Sequence, residues 1–104
     1  MYKKGLVDPF LMIGEEGAEV AKEVFKAQRF GLMGDPEWTS QPGNKPPRDN
    51  IVQEIGDFLY VLDAMLASGA VTHQELYRAK FRKEEKMLAL YGGEALGKWK
   101  QGEF

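Results

Sequence analysis

Apolar residues recur at helical spacing in three stretches of the chain, and nowhere do they alternate with polar ones at the two-residue period of a half-buried strand. The first stretch opens at Asp8-Pro9, an aspartate able to accept from free N–H groups followed by a proline suited to the first helical position; it predicts a helix over about 9–29. The second carries Ile51, Ile55, Phe58, Leu62, Met65 and Leu66 and predicts a helix over 50–68, capped by Asp49 and stopped at Ser68-Gly69. The third has the clearest start: Thr72 and Glu75 form a capping box, with Val71 and Leu76 placed as a hydrophobic staple. It predicts a helix over 73–91, ended by Gly92-Gly93.

Between the first two helices, residues 30–48 hold four of the five prolines, three glycines and Trp38, with no usable period. A loop of that length is commonly functional or mobile, and it is a candidate lid. The tail, 94–104, is short and polar around Trp99 and has no assignment. The expected fold class is therefore all-α, one domain over 1–104, a helical bundle of three main helices. Three helices with one strongly apolar member leave a place for a fourth. A four-helix-type bundle completed by oligomerisation is expected, as a homodimer or a dimer of dimers.

Composition narrows the function classes. There is no cysteine, which excludes disulfides, thiol nucleophiles and Cys-ligated zinc and fits a reducing, cytoplasmic setting. Net charge is −2, so no basic field for a nucleic acid polymer is expected. No apolar run is long enough to span a bilayer, and residues 1–8 contain two lysines without the apolar core of a signal peptide.

Charge placement carries the chemistry. On a wheel of about 100° per residue, Glu15, Glu16 and Glu19 share one sector of the first helix, with Glu23 beside them. Such i,i+4 repulsion is unfavourable in an isolated helix. The plain alternative is a solvated face, with Val20, Ala21, Val24 and Phe25 on the apolar side and Lys22 and Lys26 supplying compensation. The second helix argues against it. Its apolar arc runs through Val61, Met65, Phe58, Ile51, Leu62, Ile55, Leu66 and Leu59, and Glu54 falls within that arc, with Asp57 at its edge. A carboxylate on a buried stripe needs a cationic partner.

One candidate partner is on the third helix, where Lys80 sits on the arc of Leu76, Tyr77 and Met87 and Lys83 near its edge. A Glu54–Lys80 salt bridge would then be purely structural. Two lysines, however, cannot balance Glu15, Glu16, Glu19, Glu54 and Asp57 together. The deficit points to a hard divalent ion, Mg²⁺ or Mn²⁺. The lone His73 reads as solvated, and the Glu-x-x-His pairs of di-iron bundles, the Walker loop, the Gly-x-Ser-x-Gly elbow and the His-Glu-x-x-His motif are all absent.

The segments Glu15-Glu16-Gly17-Ala18-Glu19 and Glu54-Ile55-Gly56-Asp57 resemble the Glu-Glu-x-x-Glu and Glu-x-x-Asp signature of the MazG-type, all-α NTP pyrophosphohydrolases. The flanks, Ile13-Gly14 and Phe58 to Leu62, are similar too, and the resemblance spans roughly residues 6 to 91. It implies hydrolysis of a nucleoside triphosphate to the monophosphate and pyrophosphate, with Mg²⁺ bound by Glu16, Glu19, Glu54 and Asp57. Glu15 matches the family's extra glutamate, which helps hold a second ion or orient the attacking water, and it is the candidate to take that water's proton. The family's third helix carries phosphate-binding lysines, for which Lys80, Lys83 and Lys86 are the candidates; Trp38 or Phe30 would stack on the base. The loop is longer than the family's usual one. Two non-catalytic alternatives remain: a helical oligomerisation module and a nucleotide-sensing relative.

Overall fold

A computed structural model of the protein describes residues 8–104; the lysine-bearing start, expected to lack a signal-peptide core, otherwise lies outside the described residues. Five helices follow in order: α1 (Pro9–Phe30), α2 (Pro36–Thr39), α3 (Pro47–Ala67), α4 (His73–Tyr91) and α5 (Gly93–Lys100), with no strand among the described residues. The all-α expectation holds. Two helices were not foreseen: one turn inside the proline-rich loop, and a short helix where the tail had no assignment. None of the helices is long and apolar enough to cross a membrane. By contact density the chain divides into Met1–Ala70 and Val71–Phe104.

In the first unit, α1 starts as its sequence dictates. Asp8 Oδ1 accepts from the Phe10 N–H at 2.9 Å, Pro9 occupies the first turn, and Gly31 ends the helix at φ 84°. The start of α3 differs from expectation. Asp49 is not the cap: the helix begins at Pro47, with Pro46 before it and Asp49 already in the first turn. The tertiary fold substitutes for a side-chain cap, because the Arg48 N–H donates to the Leu32 carbonyl at 2.8 Å.

Helices α1 and α3 pack as an antiparallel hairpin. Residues late in α1 meet the start of α3, while Gly17 faces Phe58 further along, where a Cβ on Gly17 would stand 3.9 Å from the ring. The facing edge of α1 is Glu16, Val20, Glu23 and Ala27, and that of α3 is Glu54, Phe58, Val61 and Met65, each repeating at three to four residues. Ala27, Val61 and Met65 are the buried apolar residues of this seam. The sequence-derived apolar arcs need correction. Ala21 and Phe25 of α1, and Ile55 and Leu59 of α3, are exposed, because each lies well round the helix from the seam.

The connection between them is held by its own capping. In α2, Asp35 Oδ1 accepts from Glu37 N–H at 2.9 Å, and the Asn44 amide donates to the Trp38 carbonyl at 3.0 Å. Gly34 brings this turn against the start of α3. Its φ is +74°, and a Cβ there would meet Pro47 Cδ at 3.0 Å and Thr39 Cγ2 at 3.3 Å.

In the second unit, the capping box forms as predicted: Thr72 Oγ1 accepts from Glu75 N–H at 3.1 Å, and Glu75 Oε1 accepts from Thr72 N–H at 2.9 Å. Gly92 stops α4 at φ 86°, and α5 folds back with Leu96 buried and Lys100 4.0 Å from Glu84. Helix α4 has no buried residue. Lys80 is exposed, as are Lys83 and its arc neighbour Tyr77, so the inward position assigned to Lys80 is corrected.

Gly34→Ala is expected to destabilise the protein by about 1–3 kcal/mol, the usual cost of forcing a side chain into left-handed backbone against a close neighbour. Urea unfolding followed by circular dichroism measures it; an unchanged midpoint would show that the Gly34–Pro47 approach is not required.

Candidate metal centre

Helix geometry explains why carboxylates meet in the α1–α3 seam. Glu16 shares the seam edge of α1 with Val20, Glu23 and Ala27, and Glu54 sits on the facing edge of α3 with Phe58, Val61 and Met65. Asp57, three residues on, lies on the same side of α3. One carboxylate oxygen from each of Glu16, Glu54 and Asp57 falls within 4.8 Å of the other two. Glu16 and Glu54 are half-buried and Asp57 is exposed, so the group is anchored in the seam and open to solvent on one side.

Electrostatics adds Glu19 and Glu23 to the same neighbourhood. The Glu54 carboxyl is pushed above its ordinary value, first by desolvation and then by the negative charges of Asp57, Glu19, Glu16 and Glu23. Among the described residues, the ion pairs are Lys26–Glu23, Arg48–Asp49, Lys98–Glu94 and Lys100–Glu84. None of them neutralises Glu16, Glu19, Glu54 or Asp57.

Such a set can hold a hard cation. Oxygen ligands on one Mg²⁺ or Ca²⁺ lie at roughly 2.0–2.6 Å from the ion, so two on opposite sides are about 4–5 Å apart, the spread found here. Donors that are all carboxylate oxygens exclude a soft-metal preference. Of the four ligands expected from sequence, the structure thus brings three into one cluster. Glu19 is exposed and outside it, yet near enough to raise Glu54. Glu15 is exposed next to Glu16, on the outer side of α1.

One turn beyond Glu19 lies a residue to which sequence reasoning gave no role. Glu23 is buried at 8% exposure; its Oε1 is 3.4 Å from Lys26 Nζ, and its Oε2 has no hydrogen-bond partner among the described residues. It lines a cavity of about 380 Å³ together with Lys26, Phe30, Trp38, Lys45 and Asn50. Trp38 and Phe30, the two aromatics expected at a base, are therefore walls of one cavity. The signal for Glu23 was its spacing: seven residues from Glu16, it occupies the same helix face two turns on. Lys80, Lys83 and Lys86 are exposed on α4, in the second unit.

Comparison with known proteins adds no relative: no family model, no curated protein and no solved structure matches the chain.

The raised Glu54 carboxyl has a signed consequence. Folding makes this group hold its proton more tightly, so the native state loses stability as pH rises from the unfolded-chain value through the raised one, and the penalty is fully present above it. In metal-free buffer, Glu54→Gln is expected to raise the melting temperature at neutral pH and to flatten its decline across the acidic range. A variant that melts lower at every pH would mean that the carboxylate is already satisfied within the protein.

Proposed function

We propose that the protein is a divalent-metal-dependent nucleoside triphosphate pyrophosphohydrolase of the MazG type, cleaving a triphosphate to the monophosphate and pyrophosphate. The observation that carries this reading is the approach of Glu16 to Glu54 and Asp57: acids from two separate sequence motifs share one small volume, and among the described residues no lysine or arginine pairs with them. An ordinary charged surface gives no reason for half-burying Glu54 among like charges. The long cavity-lined loop next to the cluster supplies the room that a nucleotide needs.

In this reading Glu16, Glu54 and Asp57 would hold Mg²⁺ or Mn²⁺, with Glu19 as the fourth ligand, and the ion would supply charge neutralisation to the phosphate oxygens and the leaving pyrophosphate. Glu15, exposed and adjacent, takes the proton from the attacking water as its oxygen bonds to phosphorus and the phosphoanhydride P–O bond breaks. Trp38 and Phe30 stack on the base. Lys80, Lys83 and Lys86 of α4 stay the phosphate-binding candidates that the family resemblance implies.

A homodimer, or a dimer of dimers, completes the proposed bundle. Val52, Ile55 and Leu59 repeat along α3 at helical spacing and are 49%, 43% and 50% exposed, a second apolar strip beside the one that α1 covers. The same strip favours the rival reading, an oligomerisation module without catalysis. Activity separates the two.

With Mg²⁺ and a panel of ribo- and deoxyribonucleoside triphosphates, release of monophosphate and pyrophosphate is expected, abolished by chelation. Glu54→Gln and Glu16→Gln are each expected to lower kcat/KM by about a hundredfold or more, since losing metal charge stabilisation adds several kcal/mol to the barrier. Retained helicity by circular dichroism shows that the loss is chemical. No metal-dependent product from any triphosphate would sink the enzyme reading and leave the assembly module.

A further inference from the structure

Glu16 and Glu54 divide the α1–α3 hairpin into two faces. On each helix the third residue on, Glu19 in α1 and Asp57 in α3, lies about 60° round from that glutamate in one sense, and the next residue, Gly17 or Ile55, about 100° round in the other. Because the two helices run antiparallel, equal turns on them lead to the same side. One face of the hairpin therefore collects acids, and the opposite face collects apolar residues.

On α3 the apolar face is Val52, Ile55, Leu59, Leu62 and Leu66, spaced three and four in alternation, which is the repeat of a helix-to-helix seam. No polar residue interrupts it. On α1 the face continues through Ile13, Gly17, Ala21 and Val24. Val52, Ile55 and Leu59 are 43–50% exposed, and Leu62 and Leu66 are half-buried. A contiguous apolar strip of this kind marks a surface for association.

What covers it must be equally free of charge, since an unpaired ionised group against apolar surface is unfavourable. The exposed stripe of α4, formed by Tyr77, Phe81, Leu88 and Tyr91, has Glu84 in its middle and fails that condition. The α3 strip meets it with a copy of itself. It also reads nearly the same in both directions about Leu59: Val52 and Leu66 are seven residues away on either side, Ile55 and Leu62 four and three. Antiparallel pairing sets the smaller Val52 against Leu66 and keeps the width even, whereas parallel pairing stacks valines at one end and leucines at the other. Gly56 leaves room for a second helix to close in, because a Cβ there would meet nothing within 4 Å among the described residues. Val52 and Leu66 are about 21 Å apart along the axis and two helices are roughly 20 Å across, so the face has about 400 Å² of plane before side-chain relief is added. That is on the scale of the about 800 Å² that a standard interface takes from each partner.

We propose that this face is a two-fold interface between copies of the chain, in which α3 packs antiparallel on α3 of a second copy about an axis at Leu59. Both acidic faces then point away from the interface, so pairing leaves Asp57 and the metal centre open. The inference goes beyond the hydrolase reading and does not rest on it: it gives the expected dimer a surface, an orientation and an axis.

The absence of cysteine from the chain makes the arrangement readable by single introduced thiols. With oxidised glutathione as the oxidant, Leu59→Cys is expected to form a covalent dimer at least about tenfold faster than Val52→Cys or Leu66→Cys alone. In the antiparallel register the two copies of residue 52 are about 21 Å apart, far outside the reach of a disulfide, whose Cα atoms lie within about 7 Å. Mixing Val52→Cys chains with Leu66→Cys chains is expected to restore rapid dimer formation. Light scattering of the cysteine-free chain is expected to give at least twice the 11.7 kDa chain mass, and Leu59→Glu to halve the mass found. Should Leu59→Glu fail to fold, the thiol series still decides.

Rapid self-linking of Val52→Cys would overturn the antiparallel orientation. A chain-sized mass at every concentration, with no thiol position linking, would overturn the interface and mean that the face is covered within the chain or by another partner. A mass unchanged in a folded Leu59→Glu variant would move the interface elsewhere. None of these readouts involves metal, nucleotide or turnover, so the dimer stands or falls separately from the enzyme reading.

Discussion

Everything in the first unit turns on one constraint: two long helices meet along faces whose middle is acidic. Glu16 and Glu54 occupy seam positions where a soluble helical hairpin ordinarily puts leucine or alanine, and Asp57 joins them within 4.8 Å. The apolar part of the seam, Ala27, Val61 and Met65, supplies the attraction that holds the helices together despite this. The consequence is visible in Glu54, whose carboxyl is pushed up by burial and by four neighbouring acids. Stability and chemistry are in tension at one place, which is where functional sites are commonly found.

That tension also organises the connection between the helices. The α1–α3 hairpin needs its turn to dock onto the start of α3, and Gly34 allows it by combining a left-handed backbone with close approach to Pro47. The docked turn then presents α2 and Trp38 beside Glu23, which makes the cavity. A shorter turn would close the hairpin without creating a wall. The length of the loop and the presence of a cavity at Glu23 are thus two aspects of one arrangement.

The exposed apolar residues describe the rest. Val52, Ile55 and Leu59 form an exposed apolar strip on α3 of the first unit, and within the second unit α4 has no buried residue. A domain of this size has little interior of its own, and association is the ordinary way for such helices to gain one.

Local signals in the sequence determined the all-α class, the starts of α1 and α4, and the stop of α4 at Gly92, because capping and backbone freedom depend on neighbours within a few residues. The spacing of Glu16, Glu54 and Asp57 was legible for the same reason: residues three or four apart on a helix share a face whatever else the chain does. Tertiary structure decided the rest. Only packing could show that α3 starts at Pro47, with the Leu32 carbonyl accepting from the Arg48 N–H, in place of a start capped by Asp49, or that Ile55 and Leu59 turn away from the seam. Only packing could withdraw Lys80 from the interior and bring Trp38, Phe30 and Glu23 around one cavity. A helical wheel records angles about one axis, whereas burial depends on where the second axis lies, and that is settled by contacts between residues distant along the chain.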